Sequence, residues 1–281
     1  MKNYSLGLYE KAMPEALTWR EKLMTAREAG FDYIEISIDE SEEKQSRLQW
    51  TRKQRAELVA SMEACELPIR SMCLSAHRKY PLGSRDASVR KRGMEIMEQA
   101  IELADDLGIR TIQLAGYDVY YEETSMDTRQ HFVKNLVRAA QLAADKGILL
   151  GFETMETSFM DTVEKAMEYV NLVNSPYLGV YPDIGNLTNA AKLYGTSVTG
   201  DLGKGAGHII AMHLKETVPG VYREVPFGTG HVDFEMAIQK AIRLGVFRYV
   251  TELWYVGQEN WIADVQDAAH RMKTILEQQL Q

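Results

Sequence analysis

Four side chains in this sequence are of types, and at spacings, that together could do chemistry. Glu153 in GFET, Asp183 in YPDIGN, His213 in AMHLKE and Glu252 in VTELW each lie toward the end of a short apolar, β-rich run, separated by 30, 30 and 39 residues. Singly, each has an ordinary explanation. A Glu in an apolar run pairs with a buried Arg or Lys, and a lone His in a strand is a satisfied core residue. Together they reinforce one another, because buried charges need partners. Three carboxylates in one pocket repel each other and raise their own pKa values, and one divalent cation resolves that conflict. Three carboxylates and one imidazole suit Mn2+, Mg2+, Co2+ or Zn2+. The remaining coordination positions would take substrate oxygens or water.

The elements that must position these groups alternate along the chain. Strands are expected over 5–10, 33–39, 69–76, 111–116, 148–154, 178–184, 209–215 and 249–254, as apolar runs bounded by Gly, Pro or charges. Amphipathic helical patterns occupy 14–29, 51–65, 86–107, 127–146, 161–173, 233–244 and 260–279. Pro14 suits a first helical turn, and Thr51 suits an N-cap. Gly30, Gly108, Gly147 and Gly245 each follow a helical pattern and precede a strand. The sixth crossover, 187–207, is less regular, and its GKGAG stretch lacks P-loop spacing. Eight βα units predict an α/β fold, a (β/α)8 barrel, which typically needs about 250 residues. A doubly wound open sheet is the alternative, but LYEKAMPEA offers no Gly-rich turn after the first strand. No Pro/Ser-rich linker divides the chain, so one domain over 1–281 is expected. In such a barrel, catalytic groups belong at the C-terminal ends of the strands, where the four residues fall.

Composition narrows the function classes. The chain has 281 residues and a formal net charge of -8, which disfavours nucleic-acid binding. No run of about 18 apolar residues suggests a membrane span, and MKNYSLGLYEKAMP lacks a signal-peptide core. A cytoplasmic protein is expected. Two cysteines, Cys65 and Cys73, cannot build a disulfide framework and read as buried small hydrophobes.

The motifs GFET, YPDIGN, HLKET, VPFGTGHVDF and TELW resemble the xylose isomerase-like TIM barrels, which include sugar isomerases, ketose 3-epimerases and endonuclease IV-type repair enzymes. LGLYEKAMP, SMCLSAHRKYPLGS, IQLAGYDVYYEE, YPDIGNL and KETVPGVYREVPFGTGHVDF resemble more closely the L-ribulose-5-phosphate (L-xylulose-5-phosphate) 3-epimerases of L-ascorbate and related pentose catabolism. The resemblance spans nearly the whole chain. It implies that Glu153, Asp183, His213 and Glu252 are ligands of one divalent metal ion, and that Glu153 and Glu252 are the acid/base pair. It also implies a substrate role for Glu156. Asn186 stands where the free-ketose epimerases use a His, and we read it as a contact to a substrate hydroxyl. Homo-oligomers are common in the family, and the aromatic YDVYYEE loop is a candidate interface.

That activity would invert C3 of a ketopentose 5-phosphate. The C3 proton is α to the C2 carbonyl, so a divalent metal stabilises the enediolate formed on its removal. Inversion needs one ionised and one protonated carboxyl on opposite faces of the substrate. The small-molecule partner, a sugar phosphate, also needs cations at its far end. The candidates are His77, Arg78 and Lys79 after the third strand, and Lys215 and Arg223 after the seventh. Tyr9, Trp50, Tyr117, Tyr120, Tyr121, Phe159, Trp254 and Tyr255 fall near strand ends or loops, and some should wall the pocket. His131, His208, His231 and His270 read as structural or surface residues, with Asp233 as a helix cap. Three other activities would make different demands on these residues. A free-ketose epimerase or aldose–ketose isomerase would not need the phosphate. An endonuclease-type hydrolase should use more His and Asp ligands than six histidines allow. A non-catalytic sugar-binding barrel would not need the four-residue set.

Overall fold

The computed structural model describes residues 3–280. Its strands are β1 (Ser5–Tyr9), β2 (Tyr33–Ile38), β3 (Ile69–Leu74), β4 (Thr111–Ala115), β5 (Leu149–Glu153), β6 (Leu178–Tyr181), β7 (Met212–Leu214) and β8 (Arg248–Thr251). The α-helices are α1 (Trp19–Glu28), α2 (Glu42–Ser46), α3 (Arg52–Cys65), α4 (Ala87–Leu107), α5 (Met126–Asp145), α6 (Val163–Val173), α7 (Ile184–Tyr194), α8 (Val198–Lys204), α9 (Phe234–Arg243) and α10 (Trp261–Gln279). Every strand pairing is parallel, in the order β6-β5-β4-β3-β2-β1-β8-β7. The two outer strands of that ladder also meet. Val180 bridges Ile209, Asp183 bridges His213, and the His213 amide donates to the Pro182 carbonyl at 2.9 Å. The sheet therefore curls into the expected (β/α)8 barrel, and the open-sheet alternative falls.

The helices begin where side chains can satisfy their first free amides. Thr51 caps α3 as expected, in a reciprocal arrangement with Gln54. Asp233 caps α9, accepting from the Met236 amide at 2.9 Å. Pro14 does not start α1. Thr18 and Glu21 exchange a full capping box four residues later, typically worth about 1 kcal/mol, and that fixes the start at Trp19. The irregular sixth crossover resolves into two helices, α7 and α8. Gly203 and Lys204 close α8 and Gly205 caps it, so GKGAG ends a helix.

Two apolar layers hold the barrel. The outer layer packs strand residues such as Leu6, Leu8, Ile34 and Ile36 against Leu23, Ala26 and Leu103 of the helices. A smaller inner cluster is made of Tyr9, Tyr33, Cys73, Tyr181, Ala211 and Val250. The inner cluster depends on glycine. A Cβ at Gly7 would lie 2.4 Å from the Tyr33 ring. Both cysteines are buried and free. Among the described residues, no helix is long and apolar enough to cross a membrane.

Candidate metal centre and active site

The barrel gathers the four residues singled out by spacing. One ligand-capable atom each from Glu153, Asp183, His213 and Glu252 lies within 4.8 Å of the others, and all four residues are buried. Glu153 ends β5, while Asp183 and Glu252 sit just past the shortened β6 and β8. Asp183 is also the N-cap of α7. Its Oδ1 accepts from the Asn186 amide at 2.7 Å. This pins the carboxylate and leaves Oδ2 facing the cluster, 2.9 Å from Lys215 Nζ. His213 Nδ1 lies 2.8 Å from Glu252 Oε2, 3.4 Å from Glu153 Oε1 and 4.0 Å from Asp183 Oδ2.

Two further residues hold this set in place, and inspection of strand ends alone misses both. Glu35 on β2 is fully buried, with Oε1 2.7 Å from His213 Nε2. Its Oε2 accepts from the Tyr181 hydroxyl at 2.9 Å. A carboxylate on the far nitrogen fixes the ring's orientation and tautomer and leaves Nδ1 for the cluster. Gln113 on β4 donates through Nε2 to Glu153 Oε2. The signal for both is a lone polar residue inside an otherwise apolar strand, in YIEISI and TIQLA.

The charges around this point do not balance. Glu35, Glu153, Asp183 and Glu252 are buried together, and among the described residues Lys215 and His213 are the buried cations beside them. Burial and the neighbouring Glu252 and Glu153 push the Asp183 carboxyl up to about 7, although Lys215 opposes the shift. Burial acts on Glu252 in the same direction, but Lys215 and His213 outweigh it and hold this carboxyl well below the usual range. Burial disfavours the His213 imidazolium, yet Glu252 and Glu35 together hold its pKa well above that of a free imidazole. Asp183 Oδ2 and Glu252 Oε2 lie close to cations yet accept no hydrogen bond of normal geometry. An excess of buried negative charge, oxygens without hydrogen bonds and a donor set of three carboxylates and one imidazole fit a divalent cation.

Beside the cluster is a narrow chamber of about 80 Å³. Tyr9 and Trp254 wall it in edge-to-face contact, with ring centroids 6.3 Å apart. Glu156, Asn186, Arg78 and Arg223 all face it, as expected from the sequence. Glu156 accepts from the hydroxyls of Tyr117 and Tyr120 and from Arg223 Nη2 at 3.1 Å. Burial raises its carboxyl, but Tyr117 and the arginines outweigh this and keep it ionised. Asn186 donates to the Thr154 carbonyl at 2.7 Å and keeps its own Oδ1 unbonded. Arg78 lies over the Tyr120 ring, 4.8 Å from the centroid. Lys11, which the sequence reading passed over, also lines the chamber, two residues beyond β1.

Several expected contacts are not made. His77 is buried away from the chamber, with Nε2 3.0 Å from the Gly93 carbonyl. Burial drives its pKa down to about 4, so it is neutral and no anchor for phosphate. Lys79 is exposed and lies against Tyr80. Lys215 reaches the chamber but is committed to Asp183, so it belongs to the charge cluster. Trp50 packs on Trp19, and Phe159 packs on Phe132 and Tyr169, outside the chamber. His231 braces a turn through Thr217 Oγ1 at 3.1 Å.

With this geometry in hand, the chain can be set beside known proteins. Residues 23–275 match the family model for the xylose isomerase-like TIM barrel. The chain is 44% identical over 273 residues to L-ribulose-5-phosphate 3-epimerase UlaE of Shigella boydii, a match covering 97% of this chain and 95% of that one. It is 43% identical, with the same coverage, to the enzyme of that name from Escherichia coli O157:H7. The chain therefore belongs to the xylose isomerase-like TIM-barrel family and, within it, to the L-ribulose-5-phosphate 3-epimerases. Solved structures share the fold at much lower identity. D-psicose 3-epimerase from Clostridium cellulolyticum H10 superposes with a TM-score of 0.81 at 15% identity, covering 97% of this chain and 99% of that one. An L-ribulose 3-epimerase gives 0.78 at 19%, covering 98% and 95%.

Proposed function

We propose that this protein is a metal-dependent epimerase that inverts C3 of a ketopentose 5-phosphate, interconverting L-xylulose 5-phosphate and L-ribulose 5-phosphate. The observation that carries the reading is the meeting of Glu153 and Glu252 with Asp183 and His213 at one end of the barrel, beside a chamber lined by Lys11, Arg78 and Arg223.

Glu153, Asp183, His213 and Glu252 would hold one divalent ion, whose positive charge favours the enediolate over the bare carbanion. Glu153 and Glu252 act on the C3 proton. One takes it as the carboxylate and the other returns one to the opposite face as the acid, and the roles exchange in the reverse direction. Lys215 and His213, the two cations beside it, hold Glu252 ionised against the cost of burial. Gln113 fixes the rotamer of Glu153. Glu156 and the Oδ1 of Asn186 accept from sugar hydroxyls. Tyr9 and Trp254 keep bulk water from the reacting carbon. Arg223 and Arg78, with Lys11, take the phosphate, Arg223 exchanging part of its contact with Glu156 for it.

The same reading makes the chain one catalytic domain over 1–281, cytoplasmic, serving L-ascorbate-type pentose catabolism, and a homo-oligomer through the exposed tip of the Tyr117–Glu123 loop. The test is NMR in deuterium oxide with L-xylulose 5-phosphate and a panel of Mn2+, Mg2+, Co2+ and Zn2+ after chelator treatment. The expected result is conversion to L-ribulose 5-phosphate with deuterium entering at C3, lost on chelation and restored by at least one ion. Conversion of the unphosphorylated ketose at an equal kcat/KM would reject the phosphate specificity.

A further inference from the structure

A second cavity, larger than the chamber beside the carboxylates, lies at the other end of the barrel. It encloses about 620 Å³ around the N-terminal ends of the strands, reaching inward from Ser5, Thr111, Leu149 and Arg248. That volume is in the range of small-molecule sites, whereas the chamber beside the carboxylates is far smaller. Nothing in the epimerase reading uses it.

Its lining is chemically biased. Arg70, Arg110 and Arg248 all face it, in a chain whose net charge is -8. Arg70 and Arg248 form no ion pair among the described residues, and Arg110 shares its charge with Asp105 at 3.0 Å. Two carboxylates, Glu63 and Glu66, stand on the outer lip, and Glu66 is paired to Arg27. Deeper in, Ser71 is 3% exposed and its hydroxyl makes no hydrogen bond of normal geometry. It lies beside the Tyr181 hydroxyl, which donates to Glu35 and whose oxygen can accept from Ser71. Between the hydroxyl and the arginines the walls are apolar, with Leu67, Ile69 and Leu149.

We propose that this basal well is a second binding site, for a small organic anion whose phosphate or carboxylate head meets Arg248 and Arg70 and whose apolar body lies against Leu67, Ile69 and Leu149. Guanidinium groups recognise planar or tetrahedral oxyanions. The site is distinct from the metal centre and does not depend on the reaction assigned to it.

Isothermal titration of the metal-loaded, full-length protein tests this, with phenyl phosphate and benzoate as separate probes. The two arms distinguish a phosphate head from a carboxylate head. Saturable binding of at least one is expected. Arg223→Ala, at the opposite end, should retain that isotherm. Arg248→Ala should weaken it about tenfold or more, the loss of one charge-assisted contact, and Arg70→Ala should weaken it in the same direction. Arg248 is exposed and lies outside the chamber, so epimerase turnover without added anion and circular dichroism should be unchanged in that variant. The proposal is overturned if neither probe binds saturably. It also fails if Arg248→Ala and Arg70→Ala both keep the wild-type isotherm, or if Arg223→Ala alone removes all saturable binding.

Discussion

The two ends of one barrel interior are built from opposite materials. At the C-terminal end, Glu153, Asp183, Glu252, His213 and Lys215 crowd charge into a buried space. At the N-terminal end the interior positions are small or hydroxylated, with Ser5, Gly7, Ser71, Thr111 and Gly151 making room for the rings of Tyr33 and Tyr181. The difference follows from what each end must do. Loops leaving the C-terminal ends of the strands can bring side chains from anywhere in the sequence to a common point, so unbalanced charge there can be answered by an ion or a substrate. At the other end the chain turns within a few residues from helix to strand, as at 108–110 and 146–148, and the charged groups facing the basal well, Arg70, Arg110 and Arg248, are exposed rather than buried. The two are joined through one buried contact sequence, Tyr181 to Glu35 to His213, so the lower half also aims a ligand in the upper half.

The contrast breaks most severely if the upper charges are neutralised one at a time. Glu153→Gln and Glu252→Gln should each lower C3 proton exchange at saturating metal by about a thousandfold, within the range for loss of a general acid or base. Solvent-deuterium incorporation measured by NMR checks this. Exchange surviving in both variants would remove these residues from the acid/base roles.

A smaller effect is expected one shell out. Glu35→Gln keeps the shape of the side chain but weakens its hold on His213 Nε2, so metal affinity should fall about 10- to 100-fold. Metal titration followed by calorimetry reads this without reference to turnover. An unchanged affinity would show that His213 is oriented by packing against Tyr9 and Tyr181 alone.

The sequence revealed the upper end far better than the arrangement that supports it. Short apolar runs bounded by Gly, Pro or charges placed all eight strands, and the last polar residue of four successive strands picked out Glu153, Asp183, His213 and Glu252. What hid Glu35 and Gln113 is that they are inward-facing residues one or two pleats below the strand ends, where a polar side chain looks like an interruption. His77 misled in the opposite way. HRK reads as a basic cluster, but the short turn after β3 buries His77 against Gly93 and leaves only Arg78 facing the chamber. The start of α1 was misread because Pro14 is a weaker start signal than a threonine and a glutamate three residues apart, each satisfying the other's backbone amide.

Arg223 tests whether the chamber reads phosphate. Arg223→Ala should raise KM for the ketopentose 5-phosphate roughly tenfold or more, as expected for one charge-assisted contact, and leave KM for the free ketose nearly unchanged. Equal effects on both sugars would place Arg223 in the support of Glu156 instead.

The gentlest perturbation probes the join between the two ends. A Cβ added at Gly151 would lie 2.5 Å from Ile210 Cδ1 and 3.0 Å from Tyr181 Cβ. Ile210 is a flexible side chain and can give way, but Tyr181 is fully buried and tied to Glu35, so the strain of Gly151→Ala falls on that tyrosine. Overpacking of this kind costs about 1–3 kcal/mol, which thermal denaturation would register as a lower Tm. Because Tyr181 holds Glu35 and Glu35 holds His213, metal affinity should fall as well, by less than in Glu35→Gln. A destabilised variant with wild-type metal affinity would mean that the displacement is absorbed by Ile210, and that the lower half of the barrel supports the upper half only as scaffold.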